Sequence, residues 1–264
     1  MKKFRTTEVS NPKYNAEGLS FITVKSKNLN GRGDIVISKP AGSKQDIPVI
    51  IFLHGVYGSA WSWPLCSGVH LQVKKMQQKK VLPPFLLVFP SDGLWGDGSG
   101  YVPHDGYDFE KWIAEDVPEI IMQNVNGVTK KSKFFITGLS MGGFGAMKIG
   151  AKYNRLFTAF SGHSSITNLQ QMKLFTEEGL QHYLQENEID NDVFKTILAN
   201  KNKIRPFRFD CGMSDLLYND NLQLGQQLIA ADIPHIFEDF KGGHEWAYWE
   251  KHIMRSIRFF TGYL

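Results

Sequence analysis

The sequence has little of what marks several common classes of protein. It contains two cysteines in 264 residues, Cys66 and Cys211, too few for a disulfide framework or for a zinc site built on CxxC pairs. Its apolar runs at 49–53 and 85–89 have five residues each, too short for a transmembrane helix. Mostly polar residues fill positions 5–17, so the basic start is not followed by the apolar segment of a signal peptide. We therefore expect a cytoplasmic protein without a membrane segment.

The charge is close to balanced. Thirty Lys and Arg against 26 Asp and Glu give a formal net charge of +4 with neutral histidines. The one dense basic cluster, at 74–80, is typical of a solvated helix face and lacks the interleaved aromatics of a nucleic-acid-binding stripe. Hydrophobic residues make up 42% and charged residues 21%, which is typical of a globular chain and not of a disordered one. We expect a single domain over residues 1–264 that binds no nucleic acid, and the oligomeric state stays open.

Short apolar runs alternate with segments of helical periodicity. The runs at 49–53, 85–89 and 134–137 are apolar almost throughout and end at turn-forming residues, as do strands buried on both faces of a sheet. A helical pattern at 108–124 lies between the second and third runs, and another at 143–153 follows the third. This alternation predicts an α/β fold with a mostly parallel central sheet and helices on both faces.

The remaining elements complete this pattern. We expect an antiparallel hairpin at the N-terminal side, three further strands and two further helices. Their ranges are 20–27 and 34–38 for the hairpin, 157–162, 204–211 and 235–240 for the strands, and 219–231 and 245–260 for the helices. The polar segment 166–204 has a helical pattern and no strand signal, and we predict that it is a small helical insertion over part of the sheet's carboxyl edge.

The most specific local motif is Gly-x-Ser-x-Gly, formed by Gly138, Ser140 and Gly142. It follows a predicted strand and precedes a predicted helix, which is the context of a nucleophile elbow. In such an elbow only small residues fit beside the serine, and the tight turn exposes its hydroxyl at the top of the sheet. A glycine-rich structural turn is the alternative. We predict that Ser140 is a catalytic nucleophile.

A serine nucleophile needs a histidine base and an acid, which follow it along the chain in this fold. Seven of the eight histidines are disfavoured because they precede the serine, follow it too closely, or fall in the insertion, a strand or a helix. They are His54, His70, His104, His163, His182, His235 and His252. His244 remains, in a glycine-containing loop before the last helix. Asp215, in the loop after the strand at 204–211, is the preferred acid, and Asp210 is its competitor.

An oxyanion hole requires two backbone N–H groups near the nucleophile. The N–H of Met141, the residue after the serine, is one candidate. The other is expected in the loop that begins at His54, where Val56 is preferred and Tyr57 is second.

Four segments carry a resemblance to a known family. They are Phe52-Leu53-His54-Gly55, Gly138-Leu139-Ser140-Met141-Gly142-Gly143, Cys211-Gly212-Met213-Ser214-Asp215, and Gly242-Gly243-His244-Glu245-Trp246 through Trp249. With them the chain resembles the esterase D branch of the α/β-hydrolases, which includes feruloyl and acetylxylan esterases, enterochelin esterases, S-formylglutathione hydrolases and mycolyltransferases. The resemblance implies a serine hydrolase that acts on esters, with Ser140, Asp215 and His244 in the triad positions. Members that act on plant polysaccharide are usually secreted, and this chain has no recognisable signal.

Aromatic residues accompany the predicted site. Tyr57, Trp61, Trp95 and Trp246 are candidates for substrate contact, with Trp63 and Tyr101 nearby in sequence, and packing of long loops is the alternative for each. The glycine-rich loop 91–107 lacks the spacing of a phosphate-binding loop, and its acids do not match a calcium loop. We therefore predict a carboxylesterase for short acyl or aryl esters, with sugar-linked esters among the candidate substrates, that uses no cofactor or metal. An acyltransferase with the same triad and a thioesterase similar to S-formylglutathione hydrolase are the alternatives.

Overall fold

A computed structural model describes residue 4 and residues 6–42 and 45–264; residues 1–3 and 5 of the basic start lie outside this part of the chain. The strands are β1 (Thr7–Val9), β2 (Leu19–Ser26), β3 (Gly31–Ser38), β4 (Val49–Leu53), β5 (Leu86–Pro90), β6 (Pro103–His104), β7 (Tyr107–Asp108), β8 (Phe134–Leu139), β9 (Phe157–His163), β10 (Phe207–Gly212) and β11 (Ile236–Phe240). The helices are α1 (Ser62–Ser67), α2 (Val69–Gln78), α3 (Phe109–Lys111), α4 (Val117–Asn124), α5 (Met141–Lys152), α6 (Val193–Ala199), α7 (Tyr218–Ala230) and α8 (Trp246–Thr261).

Nine strands form one sheet in the order β1-β2-β3-β5-β4-β8-β9-β10-β11. The six strands from β5 to β11 in this order are parallel, and β1, β2 and β3 are antiparallel additions at one side. Because carboxyl ends of parallel strands meet at one edge, the loops after β4, β8, β10 and β11 converge there. The predicted α/β fold with a mostly parallel sheet is confirmed.

Both faces of the sheet are buried, which explains why the central strands are apolar without alternation. All five residues of β4 are buried, and their side chains divide between two cores. Ile50 and Phe52 pack with α1, α2 and α8, whereas Val49, Ile51 and Leu53 pack on the side of α4, α5 and α7. The faces therefore hold helices that position the loops at the carboxyl edge.

The predicted helix at 108–124 is interrupted by a π-helical turn, Trp112–Asp116, between α3 and α4. The insertion at 166–204 is less helical than predicted, because α6 is its one α-helix and the rest forms short 3₁₀ turns. Side chains of Asn168 and Asn187 bond to backbone N–H groups at the start of two of these turns, and Asp192 does so at the start of α6. Such local bonds compete with continuous helix. No helix in the part of the chain described here is both long and apolar enough to cross a membrane.

Candidate active site

Ser140 lies at the junction of β8 and α5, in a backbone conformation that is rare for a residue with a side chain. Its φ and ψ are 53° and −120°. The turn is possible because the residues at 138 and 142 have no side chain. A Cβ on Gly138 would overlap the backbone of Gly142, and a Cβ on Gly142 would overlap the carbonyl groups of Leu53 and His54. Positive φ at a non-glycine residue is costly, and with this ψ it lies outside the left-handed helical region that ordinary turns use. The glycines of the motif therefore allow the tight turn that holds the serine.

The three side chains predicted as a triad form one continuous chain of hydrogen bonds. His244 Nε2 lies 3.0 Å from Ser140 Oγ, and His244 Nδ1 lies 3.0 and 2.9 Å from the two oxygens of Asp215. The Asp215 side chain is fully buried, and its Oδ1 also accepts the N–H of Leu217 at 2.9 Å. With a carboxylate at Nδ1, that nitrogen donates and Nε2 is left to accept the serine proton. The geometry is that of a nucleophile, a base and an orienting acid.

Asp210, the competing acid, lies one layer deeper and has other partners. Its carboxylate bonds to His163 Nδ1 at 3.0 Å, to Arg208 at 2.8 Å and to the Tyr248 hydroxyl at 3.0 Å. Burial raises the pKa of Asp210, but the charges and hydrogen bonds of His163 and Arg208 outweigh it and bring this pKa down to about 2. Among the aspartates considered in the sequence, Asp215 is the one that contacts His244.

The loop after β4 lies against the nucleophile. A side chain on Gly55 would come within 3.3 Å of Ser140 Cβ, and one on Gly98 would meet both the Met141 sulfur and Val56 Cα. Met141 is the first residue of α5, where N–H groups lack a partner within the helix. Within residues 6–42 and 45–264, no acceptor is paired with the N–H of Val56 or Met141. These two groups are therefore available to a substrate oxygen.

Tyr57, the second oxyanion candidate, is not available in the same way. Its N–H donates to the carbonyl of Asp97 at 2.7 Å. His54 stabilises the start of the loop, because its Nδ1 donates to Gly55 O at 2.7 Å and its Nε2 accepts the N–H of Asp92 at 3.1 Å. The buried His54 is thus a structural element of the loop and not a base.

A cavity of about 490 Å³ opens beside Ser140 and His244. Its wall is mainly aromatic. The aromatic lining residues are Tyr57, Trp61, Phe175, Trp246 and Trp249. The Phe175 ring stacks on the His244 imidazole with ring centroids 5.3 Å apart. The imidazole also makes an edge-to-face contact with the Trp249 ring, with centroids 5.0 Å apart. A pocket of this size with few polar groups is typical of a site for a small organic molecule.

Comparison with known proteins identifies the family. A family model described as "Putative esterase" matches residues 26–260. The chain belongs to this esterase family. The "Acetyl esterase" of Caldicellulosiruptor saccharolyticus is 26% identical over 237 residues, which cover 82% of this chain and 84% of that protein. The family assignment confirms the predicted class, an ester hydrolase.

Solved structures of similar fold cover nearly the whole esterase chain. A ferulic acid esterase superposes with a TM-score of 0.78 at 22% identity, over 98% of this chain and 99% of that one. The fluorophosphonate-binding serine hydrolase F of Staphylococcus aureus gives a TM-score of 0.77 at 20% identity, over 91% and 97%. At these identities the likeness shows the fold, and it agrees with the predicted α/β-hydrolase architecture.

Trp95, which the sequence predicted as a substrate contact, packs elsewhere than on this cavity. Trp95 is not among the residues that line this cavity, and its ring packs on His104 at 4.2 Å and Tyr183 at 5.8 Å. Trp63 and Tyr101 are buried supports, since Trp63 donates to Leu53 O at 2.9 Å and Tyr101 to His54 O at 3.1 Å. The long loop that carries Trp95 packs against the insertion, and packing accounts for these three aromatics.

Two lining residues of this esterase were not singled out from the sequence. Phe175 comes from the insertion, where no periodic pattern indicates which side chain turns towards the site. Cys66 also lines the cavity, but burial raises the pKa of its thiol, which disfavours the nucleophilic thiolate. Ser140 is therefore the better nucleophile candidate in this pocket.

Proposed function

We propose that this esterase hydrolyses short acyl or aryl esters through an acyl-enzyme on Ser140. The observation that carries the proposal is the hydrogen-bond chain from Ser140 Oγ through His244 to Asp215, with 3.0 Å between the serine oxygen and His244 Nε2. This is the separation at which a general base can take a proton from its nucleophile. Asp215 holds the imidazole and stabilises its charged form.

In the first half-reaction, Ser140 Oγ attacks the ester carbonyl carbon while His244 Nε2 takes the hydroxyl proton. The N–H groups of Val56 and Met141 donate to the oxygen that becomes negative. The bond to the alcohol then breaks, and His244 returns the proton to the leaving oxygen. In the second half-reaction His244 Nε2 takes a proton from water while the water oxygen attacks the acyl carbon. The bond to Ser140 Oγ then breaks, His244 returns the proton to this oxygen, and the acid is released. Each oxyanion donor typically contributes about 3 kcal/mol of transition-state stabilisation.

The lining of the cavity supports a neutral ester. Among the described residues around it there is no lysine or arginine, whereas Glu245 carries a carboxylate there. A glutathione thioester has free carboxylates, which would find no cationic partner among these lining residues, so its binding is disfavoured. The aromatic side chains of Trp61, Phe175 and Trp246 supply apolar area for a small acyl or aryl group instead.

The test is turnover of a panel by wild type, Ser140→Ala and Ser165→Ala. The panel contains p-nitrophenyl acetate, methyl ferulate, acetylated xylo-oligosaccharides and S-acetylglutathione, with and without an added alcohol acceptor. Ser165 is a matched control, because it is also a fully buried serine near the elbow and its hydroxyl lacks a partner among the described residues. We expect the turnover of oxygen esters by Ser140→Ala to fall to near background, and Ser165→Ala to retain its activity. Wild-type rates in Ser140→Ala would reject the mechanism. Preferential transfer to the alcohol would make the protein an acyltransferase.

A further inference from the structure

Three loops meet at one aspartate beside the cavity. The carbonyl of Asp97 accepts the N–H of Tyr57 at 2.7 Å, and its carboxylate accepts the N–H of Glu177 at 2.8 Å. The N–H of Asp97 donates to the carboxylate of Glu178 at 3.0 Å. Asp97 therefore joins the oxyanion loop after β4 to residues 175–178 of the insertion, here called the strap.

Tyr57 adds a second connection between the same two segments. Its phenol donates to the backbone carbonyl of Phe175, the first residue of the strap. The ring of that residue stacks on the imidazole of His244 at an interplanar angle of 27°. One continuous set of contacts thus runs from the residue after Val56 to the ring of the candidate base.

We propose that Asp97 and Tyr57 are positioning residues that act through the strap. They hold the Val56 N–H and the His244 ring in fixed relation to Ser140. The inference rests on the proposed function, and it adds a role for two side chains that do not touch the reacting atoms. The strap is the only part of the insertion that these two residues bond to among the described residues.

The local backbone explains why the loop needs this support. Tyr57 has a φ of 59°, a conformation that is unfavourable for a residue with a side chain. The bond from its N–H to the backbone carbonyl of Asp97 holds that turn, and the Asp97 carboxylate fixes this carbonyl's place by its bond to Glu177 N–H of the strap. Val56 is the residue next to Tyr57. A displacement of about 1 Å in a catalytic group can reduce the rate about 10²-fold. Loss of the Asp97 carboxylate or the Tyr57 hydroxyl lets this segment shift against the strap, and is therefore expected to slow the chemical step more than it weakens binding.

The surroundings of the Tyr57 phenol favour its protonated form, which is the hydrogen-bond donor. Partial desolvation, together with the carboxylates of Asp97, Glu177 and Glu178, raises the pKa of Tyr57. Tyr57 is 67% exposed, so removal of its hydroxyl leaves the core unchanged. Tyr57→Phe thus tests the connection without a large effect on folding.

The experiment compares Tyr57→Phe, Asp97→Ala, Asp97→Asn and the double variant Tyr57→Phe with Asp97→Ala. Tyr107→Phe and the exposed loop change Asp105→Ala are the matched controls. Steady-state kinetics with p-nitrophenyl acetate give kcat and KM separately. Hydrogen exchange of the peptide containing residues 175–178 reports the strap without any need for turnover.

We expect Asp97→Ala to lower kcat about 10-fold or more and Tyr57→Phe about 3- to 10-fold, with KM within about twofold of wild type. Asp97→Asn keeps an oxygen acceptor and should recover most of the rate. The double variant should lose less than the product of the single losses, because both residues act through one segment. Amide exchange in 175–178 should rise in the variants that lose activity and stay unchanged in the controls.

Two results overturn the inference while the proposed function stands. One is a wild-type kcat in Tyr57→Phe and Asp97→Ala; the other is a wild-type exchange rate for 175–178 in both variants. A rise in KM with unchanged kcat would also reject positioning, because it would indicate substrate binding. If wild type itself hydrolyses none of the esters, the proposed function fails, and the positioning role is rejected with it.

Discussion

His163 and Asp210 form a second histidine–aspartate pair, fully buried beneath the candidate triad. Nδ1 of His163 lies 3.0 Å from Asp210 Oδ1, and Nε2 lies 2.9 Å from the Ser256 hydroxyl. The backbone carbonyl of His163 accepts the N–H of Ser140 at 2.9 Å. Neither side chain is exposed. This pair stabilises the end of β9, whose backbone holds the N–H of Ser140, whereas Asp215 and His244 lie at the cavity.

The two aspartates should respond oppositely to the same substitution. Asp215→Asn keeps the shape of the carboxylate but favours the wrong imidazole tautomer, so kcat should fall by up to about 10⁴-fold with little change in the free energy of unfolding. Asp210→Asn removes one of the two carboxylates that pair with the buried Arg208, so that Glu238 is its remaining anion, and should reduce the free energy of unfolding by about 1–3 kcal/mol. Its folded fraction should keep most of its activity. Urea denaturation and p-nitrophenyl acetate kinetics on both proteins give the comparison. A dead Asp210→Asn beside an active Asp215→Asn would show that the acid has been assigned to the wrong residue.

Acid should weaken the fold through Asp210. Its pKa of about 2 in the folded protein lies below the ordinary value of 3.8. A lowered carboxyl pKa stabilises the fold above the unfolded pKa, and this stabilisation is lost as pH falls from about 4 to 2. The amount is about 2 kcal/mol. Denaturant unfolding of wild type and Asp210→Asn from pH 6 to 2 should give a difference that shrinks in this window. A constant difference would mean that Asp210 titrates normally.

The preference for the length of the acyl chain should follow from the limited volume of the cavity. In a series of p-nitrophenyl esters, we expect kcat/KM to be highest between acetate and butyrate and to stop rising towards octanoate. Methylenes that remain in water forfeit about 0.8 kcal/mol each of possible binding. Phe175→Ala should shift the optimum to longer chains, because it removes a ring from the cavity wall, while the neighbouring exposed Leu174→Ala should not. A steady rise to octanoate in wild type, or activation at a lipid interface, would contradict this account.

Gly142→Ala should disrupt the elbow. The new Cβ would overlap the backbone carbonyls of Leu53 and His54, which are part of a strand and a loop that cannot move away cheaply. We expect loss of activity together with a lower melting temperature. Gly262→Ala, at the end of α8, places its Cβ at 3.4 Å from the Phe259 carbonyl and has a helical φ of −70°. Its activity and melting temperature should stay close to wild type. Equal behaviour of the two variants would argue against a steric role for Gly142.

The sequence was sufficient to predict which strand ends meet, because parallel topology and chain order are enough for that. Ser140 and His244 follow from a steric motif and from the order of elements. The choice of Asp215 depended on where β10 ends, since Asp210 lies inside that strand and Asp215 in the loop beyond it. The predicted strand ends at 211 and the observed one at Gly212, so Asp215 lies in the loop in both cases.

The contacts of the insertion were beyond the reach of sequence patterns. Its 3₁₀ turns are held by individual side-chain bonds, so they have no periodicity that indicates an inward face. Phe175 and Trp95 show the consequence. The ring of Phe175 stacks on that of His244, and the sequence did not indicate this contact. Trp95 was expected in the pocket, but its ring packs on His104.

The most direct test of the account is the mass of the protein after reaction with a fluorophosphonate, followed by mapping of the modified peptide. We expect one adduct on Ser140 in wild type and in Asp210→Asn. Ser140→Ala should stay unmodified, and Asp215→Asn should react much more slowly. An adduct on another residue, or equal labelling of Ser140→Ala, would contradict the assignment of Ser140 as the nucleophile.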